Sequence, residues 1–592
     1  MANEDKLIWT VFNGEIYNHL ELRHELEALG HVFYSRADTE VLVHGYESWG
    51  ARGLAQRLQG IFAFAVYDQR ARRMVLCRDH LGVKPLYWWS DGKALLFSSE
   101  TKALLAHPAL SSRKINRRGV AQFVVTRYVS RPETLFERIH CLSEGHFLEI
   151  EVSQGAPLNP QSYWDWRPSA DLITLGDAVD ELDHHLTHTV QMQLMSDVPL
   201  GVQLSGGVDS STLVAIMETL RRTRADRTPI RTFSVGFDIP EFSELPYARK
   251  VAKRYATEHH EITVCFRDFI QDLARLCWYH DEPMGEPSAV PTYHMCKMAK
   301  NYVTVMMCGE GADELFGGYS KYVFDQFSRA LDWMPQHLRQ ALLRGAGALI
   351  PVGGRRVRSM LEKLSLADPA QRYASWYGGF DTLAQRSLMM PQLLAEIGDG
   401  GLNEAFDAVI RRCATRNSLD CFQYCDLHTR LVDDILVKGD RMSMAASVEA
   451  RVPFLDHRLA EFAARLPRRL RVDGLKSKVL LKRLAERYLP REVIHRRKVG
   501  FTVPLNRWFA GPLAGFLREF LLSERALERG YFCPDKVHLV LDDHMAGRVD
   551  REQEIWLLLT LELWHRLFAD NDGSESAMQR VHAEFIDNLG NA

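Results

Sequence analysis

The sequence predicts an α/β chain in two parts: an α+β beginning built on short strands, then a mostly parallel sheet that passes into a long helical region. Three observations carry that expectation. Short runs rich in β-branched and aromatic residues dominate to about Ile150. Strand-like and helical segments alternate from about Ile173 to Glu310, the pattern of crossover helices over a parallel sheet. Beyond about Lys321 apolar residues recur at helical spacing almost throughout. A chain of 592 residues is also too long for one core, so several domains are expected.

In the first part, LELRHELEAL between Tyr17 and Leu29 has its apolar residues at helical spacing. IFAFAVYD, MVLCRD and ALLFSSE read as strands between turn residues. SQGAPLNPQSYWDW, which contains Gly and Pro, reads as a linker. LGDAVDELDHHLTHTVQMQL then gives a long helical pattern, and GVQL, IRTFSVGF, HHEITV and VTVMMCGE are buried-strand candidates. In the helical region GAGALIPVGGRR reads as a loop, and the polar residues from NDGSES onward are expected to fray. There is no internal repeat.

The composition is ordinary for a globular chain: 46% hydrophobic, 25% charged, net charge -3. No strong positive field is available to steer DNA or RNA, so a nucleic-acid partner is not expected. No apolar run is long enough to cross a bilayer, and MANEDKLIWT lacks a basic region followed by an apolar stretch. The ten cysteines form no CxxC pair, which reads as reduced thiols in a cytoplasmic protein. His184 and His188 stand at i, i+4 without an HExxH pattern and read as a solvated helix face.

The stretch VQLSGGVDSSTLVAIM carries the chemistry. A strand runs into Ser205-Gly206-Gly207, and a helix starts near Ser210. Glycines let backbone approach a ligand closely. The N–H groups at a helix start point at that ligand, and the helix dipole favours negative charge there. The combination suits phosphate. The loop lacks the GxxxxGK[ST] spacing of a γ-phosphate-transferring P-loop. It also contains Asp209, which would repel a bare phosphate but fits if Mg²⁺ sits between them. GEGADE, ending a later strand, falls where ligands collect on an open parallel sheet. Its Asp313 reads either as a second metal carboxylate or as the N-cap of the segment that follows.

SGGVDSS resembles the pyrophosphate-binding loop of the N-type ATP pyrophosphatases. CGEGADELFGGY, KGDRMSMAASVEARVPFLDH and RRKVGFTVPLNRWF, together with FNGEIYN, SRADTEVLVHGYESWG and RDHLGVKPLYW, resemble the glutamine-hydrolysing asparagine synthetases along nearly the whole chain. The resemblance implies a partial Ntn-type αββα sandwich followed by a parallel-sheet ATP pyrophosphatase domain with a largely helical C-terminal part. Residues 1–152 would be a glutaminase domain lacking its N-terminal part, 153–172 a linker, 173–570 the synthetase domain and 571–592 a polar tail.

By the same resemblance, Asp209 and Asp313 hold Mg²⁺. Leu204, Ser205, Gly206, Gly207, Asp209, Ser210, Val235, Cys308 and Gly309 form the ATP site, Cys308 standing where the family usually has serine. Glu310 lies beside the attacking ammonia, where relatives that close β-lactam rings carry tyrosine. Lys478 stabilises charge on the phosphates, although Lys476 and Lys482 lie close enough in sequence to be confused with it. Asp281, Glu282, Pro283 and Arg441 sit in family motifs and are expected along the cleft.

Asn13 and Gly14 match an oxyanion-hole pair, and Glu15 and Asp38 match glutamine contacts. An oxyanion hole acts only after a nucleophile has attacked, and no cysteine precedes Cys77, which lies in a strand-like run. We therefore expect no glutamine hydrolysis by the chain as written, and a misplaced start or truncated gene to explain it. The expected function is an ATP- and Mg²⁺-dependent amide ligase. It would activate aspartate as an acyl-adenylate for attack by ammonia, itself drawn from glutamine in a longer form, and release AMP and pyrophosphate. The alternatives are a biosynthetic-cluster amidotransferase or cyclase acting on another acid or peptide, and a non-catalytic binding homologue. The partners are small molecules, with a homodimer left open.

Overall fold

A computed structural model describes residues 1–151, 158–331, 333–350, 355–376, 387–397, 404–413, 415, 417–496 and 500–591. The first part is four layers deep. Its main sheet has strand order β1 (Ile8–Ile16), β2 (Gly60–Asp68), β3 (Arg73–Arg78), β7 (His146–Glu151) and β8 (Gln161–Ser162), all antiparallel. The second sheet has order β5 (Leu95–Ser98), β4 (Tyr87–Ser90), β6 (His140–Cys141). The pleat of β2 explains its unbroken apolar run. Phe62, Phe64 and Val66 pack on Leu22, Leu26, Leu42 and Leu54 of the helices His19–Ala28 and Glu40–Arg57. Ala63 and Ala65 face the second sheet through Leu86, Leu142 and Leu148. The outer face of β4, through Tyr87 and Trp89, packs with Leu104, Val120 and Phe123 of the helices Thr101–Leu105 and Arg117–Thr126. That is the αββα sandwich expected.

The second sheet system is parallel, in order β11 (Glu258–Val264), β10 (Arg231–Phe237), β9 (Leu200–Gln203), β12 (Val305–Met307), β13 (Glu449–Arg451). The order runs one way from β9 to β10 and β11, then restarts on the other side with β12. The crevice at the strands' C-terminal ends between β9 and β12 is therefore a topological switch point, where open α/β sheets bind ligands. It holds both the glycine loop and GEGADE.

Four expectations change. The expected linker closes with β8, whose residues Gln161 and Ser162 pair with Phe147 and His146, so the first domain reaches beyond residue 152. Strand β13 lies inside the stretch read as helical; three residues are too short for a period-2 signal. GAGA is the end of the helix Gln336–Ala348, and residues 351–354 lie outside those described. The closing residues do not fray as a polar tail. Glu575–Asn591 is a helix whose Ala577, Met578, Val581 and Phe585 are buried, Phe585 sitting edge-on to Phe516 and Phe520. One apolar stripe at helical spacing was enough to dock it. Among the described residues no helix is long and apolar enough to cross a membrane.

Candidate active site

The helix Val208–Thr223 begins at Gly207, whose N-cap position carries no side-chain hydrogen bond, so first-turn N–H groups are left for a ligand. The turn before it is held by its own hydroxyls. Gly207 N donates to Ser205 Oγ (3.2 Å), and the Ser205 backbone N donates to Ser210 Oγ (3.2 Å). Gly206 needs its glycine. Its φ is 70°, and a Cβ there would lie 2.5 Å from the carbonyl carbon of Tyr247.

These residues open on a cleft of about 340 Å³. Leu204, Ser205, Gly207, Asp209, Ser210, Val235, Gly309, Glu310, Asp313 and Lys478 all line it. Gly206 shapes the turn from behind. Cys308 is elsewhere: its side chain is buried against Met306 O (3.7 Å) and lines a separate internal cavity, so it is not in the cleft wall as expected. Both residues follow the end of β12, and Gly309, not Cys308, lines the cleft.

Lys478 joins the two aspartates. Its Nζ lies 2.6 Å from Asp209 Oδ1 and 2.7 Å from Asp313 Oδ1. Those oxygens are thus no further apart than the two contacts combined. Burial disfavours the ammonium, but Asp209 and Asp313 outweigh it and hold its pKa above the ordinary lysine value. Gly318 makes the approach possible, since a Cβ there would sit 1.8 Å from Asp313 Oδ1 and 2.3 Å from Lys478 Cε. Lys476 is exposed on the Asp473–Lys476 turn, which separates it from the site. Lys482 lines the cleft one helical turn beyond Lys478.

Sequence reasoning missed Arg496 and Glu244. Arg496 donates from Nε to Gly206 O (3.1 Å), pairs with Glu244 (2.6 Å) and covers the Tyr247 ring at 4.5 Å. It braces the glycine loop from across the cleft. The RRKVGF stretch was the available signal, but no spacing rule ties it to a loop some 290 residues earlier.

Glu310 borders both spaces, the cleft and an internal cavity of about 20 Å³. Its Oε2 is buried without a hydrogen-bond partner among the described residues. The internal cavity is lined by Val83 from the first domain and by Gln203, Cys296, Cys308, Asp440 and Val452 from the second. It has room for about one water-sized molecule.

The expected glutamine residues lie where the halves meet. Asn13 Nδ2 donates to Ser99 Oγ (3.2 Å), Gly14 pairs with Phe62 in the β1–β2 ladder, and Asp38 Oδ2 accepts from Ile16 N (2.9 Å). Glu15 lies 3.5 Å from Arg451 of the second domain. Burial, with Glu449 adding to it and Arg451 opposing, pushes its pKa up to about 7. Cys77 is fully buried in β3, and burial raises its thiol well above the ordinary range. Asp281 and Arg441 leave the cleft: Asp281 accepts from Thr101 N (2.5 Å) and Lys102 Nζ (3.0 Å), while Arg441 donates to Ser99 O (2.6 Å). They stitch the domains together.

A switch-point crevice holding a glycine loop, two converging aspartates and a buried lysine is the frame of a nucleotide-consuming enzyme. The chain belongs to the asparagine synthase family. That family's model, described as asparagine synthase, matches residues 181–566, and a glutamine amidotransferase domain model matches residues 1–164. Asparagine synthetase [glutamine-hydrolyzing] 1 of Bacillus subtilis is 31% identical over 96% of this chain and 87% of its own length. Asparagine synthetase [glutamine-hydrolyzing] 3 of the same organism is 29% identical over 82% of this chain and 74% of its own. A Penicillium rubens protein described as an amidase is 26% identical over 89% of this chain and 82% of its own.

Proposed function

We propose that the chain is a cytoplasmic ligase that converts aspartate to its side-chain amide at the cost of ATP. The observation that carries this reading is the Asp209–Lys478–Asp313 bridge at the mouth of the glycine loop. An oxygen of the acid attacks the α-phosphorus of ATP, and pyrophosphate departs with the electron pair of the broken P–O bond. Ammonia then adds to the acyl carbon, AMP leaves, and the nitrogen gives up a proton to Glu310. The first-turn N–H groups and Lys478 face the charge that develops on the departing diphosphate, the kind of preorganised stabilisation worth about 3–4 kcal/mol per donor.

Mg²⁺ fits the residues present. Two carboxylates already converge on one cationic nitrogen, and an oxygen-preferring ion would be held by Asp209 and Asp313. When bound it would supply Lewis-acid neutralisation of the phosphates.

The small cavity between Val83 and Glu310 supports ammonia as the nucleophile, because it has room for a water-sized molecule beside the Glu310 carboxylate. In this reading the nitrogen arrives at the acyl carbon as ammonia, and the first thiol among the described residues, Cys77, is buried in its strand. A form carrying an accessible N-terminal thiol would use glutamine against Asn13, Gly14, Glu15 and Asp38. The ten unpaired cysteines support a reducing compartment.

A second reading, amidation of another acid or peptide, is favoured by the relative described as an amidase. Exchange of labelled pyrophosphate into ATP separates the two. Aspartate-dependent exchange is expected; exchange with other acids and none with aspartate would replace the first reading by the second.

A further inference from the structure

In the first domain, apart from the residues that line the cleft, three residues converge that the ligase reaction does not use. Glu4 precedes β1, His31 follows the helix His19–Ala28, and His44 lies in the helix Glu40–Arg57. One ligand atom from each lies within 4.8 Å of the others. His31 Nδ1 is 3.1 Å from Glu4 Oε1, and His44 Nδ1 is 3.3 Å from Glu4 Oε2. The imidazole rings are 4.9 Å apart.

The outward nitrogens are held as well. His31 Nε2 is 2.7 Å from Ser48 Oγ, and His44 Nε2 is 3.5 Å from Glu40 Oε1. Glu40 is itself fixed, accepting from Tyr34 N (2.7 Å), Ser35 N (2.8 Å) and Ser35 Oγ (2.5 Å). A carboxylate so engaged can only accept, so His44 Nε2 carries the proton. In the neutral ring Nδ1 is then a bare lone pair, and it faces the Glu4 carboxylate. His44 is fully buried, and its Nδ1 has no hydrogen-bond partner among the described residues. A bare lone pair is repelled by a carboxylate, so either a metal ion lies between the two or Nδ1 itself carries a proton.

We propose that Glu4, His31 and His44 bind a divalent transition-metal ion of the zinc class, with water from the exposed Glu4 side as the fourth ligand. Tetrahedral zinc with bonds of about 2.0–2.1 Å sets its ligand atoms about 3.3 Å apart; each histidine lies near that distance from one Glu4 oxygen, and one ligand atom from each residue lies within 4.8 Å of the others. An imidazole whose second nitrogen is held by a carboxylate or hydroxyl is the usual outer shell of such a site. The ion would pin the segment before β1 to both helices of the outer layer.

The test uses the full chain, freed of any affinity tag and stripped with chelator, in an Asp209→Asn background so that the cleft does not contribute. Zn²⁺ is titrated by calorimetry and Co²⁺ by visible absorption. One equivalent of Zn²⁺ is expected, with a tetrahedral Co²⁺ spectrum and a Tm that rises with metal concentration. His31→Gln and Glu4→Gln, both at partly exposed positions, are each expected to weaken binding at least tenfold while leaving the metal-free Tm within a few degrees. Absence of stoichiometric binding, or binding that survives both substitutions, overturns the proposal. An extra proton on His44 would then be the cation between them.

Discussion

Around the parallel sheet, three distant segments converge on two linked ion pairs, with Lys478 between Asp209 and Asp313. In the first domain, Asn13, Gly14, Glu15 and Asp38 are engaged instead with Ser99, the β1–β2 ladder, Arg451 and Ile16 N. The difference lies in what the groups still lack. In the cleft an uncapped helix start and the Glu310 carboxylate face open space; Asn13, Gly14 and Asp38 each already have a hydrogen-bonded partner within the first domain. For these residues the cleft and the first domain differ in how many hydrogen bonds are still unmet.

The largest effect should come from the cleft. Asp209→Asn or Asp313→Asn is expected to lower aspartate-dependent pyrophosphate exchange by about 10²–10³ or more, the scale of losing one charge-stabilising group. Glu15→Gln should leave ammonia-dependent amide formation within about threefold. If Glu15→Gln falls as far as Asp209→Asn, the contrast between the two regions is wrong.

The interface itself gives the next largest effect. Arg78 and Asp79 of RDHLGVKPLYW turn inward. Arg78 donates to Lys84 O, Leu142 O and Gly82 O, and Asp79 accepts from the N–H groups of Phe62, Leu81, Val83 and Lys84. That folded loop delivers Lys84 to Asp440 of the second domain at 2.8 Å, both side chains nearly solvent-free. Burial works against the Lys84 charge, yet Asp440 holds its pKa above the ordinary value. Removing one partner, as in Lys84→Met, leaves an uncompensated buried carboxylate and should cost about 3–5 kcal/mol. Urea unfolding measures it, and Lys84→Met with Asp440→Leu should recover much of the loss. A single mutant as stable as the parent would show that the domains do not depend on this pair.

How much of this could be read from the chain alone follows from distance in sequence. Strands β9, β10 and β12 were legible as short, largely apolar runs between turn residues, β11 by its closing β-branched Ile-Thr-Val, and Ser205 to Ser210 because its chemistry is contiguous. The resemblance named Lys478, and only the placement of Gly318 and Asp313 beside it separates it from Lys476 on physical grounds. Arg496, the contacts of Asp281 with Thr101 and Lys102, and that of Arg441 with Ser99 escaped because the partners lie at least 179 residues away. The docked C-terminal helix escaped because four buried residues are diluted among polar neighbours.

A smaller effect tests the boundary by pH. Asp433 is buried 3.2 Å from Arg131 of the first domain. Burial, opposed by Arg131 and reinforced by Glu144, pushes its pKa up to about 7 from the ordinary 3.8. Between those values the folded chain holds a proton that the unfolded chain has released. Stability should therefore fall as pH rises through that window, by at most about 3 kcal/mol from pH 5 to 7. Asp433→Asn should flatten the profile over that range. An unchanged slope would assign the pH dependence elsewhere.

The smallest effect concerns Cys308, where the sequence and the structure part. If its side chain belonged to the nucleotide site, restoring a hydroxyl by Cys308→Ser should strengthen ATP binding, a neutral hydrogen bond being worth about 0.5–1.5 kcal/mol. The structure turns Cys308 toward Met306 O and the internal cavity beside Glu310. We therefore expect KM for ATP to stay within about twofold. The change should appear in KM for ammonia, because a hydroxyl in that water-sized space offers the small nucleophile a stronger hydrogen-bond partner than a thiol does. A shift in the ATP constant alone would move Cys308 back to the cleft wall and separate the cavity from the path of the nucleophile.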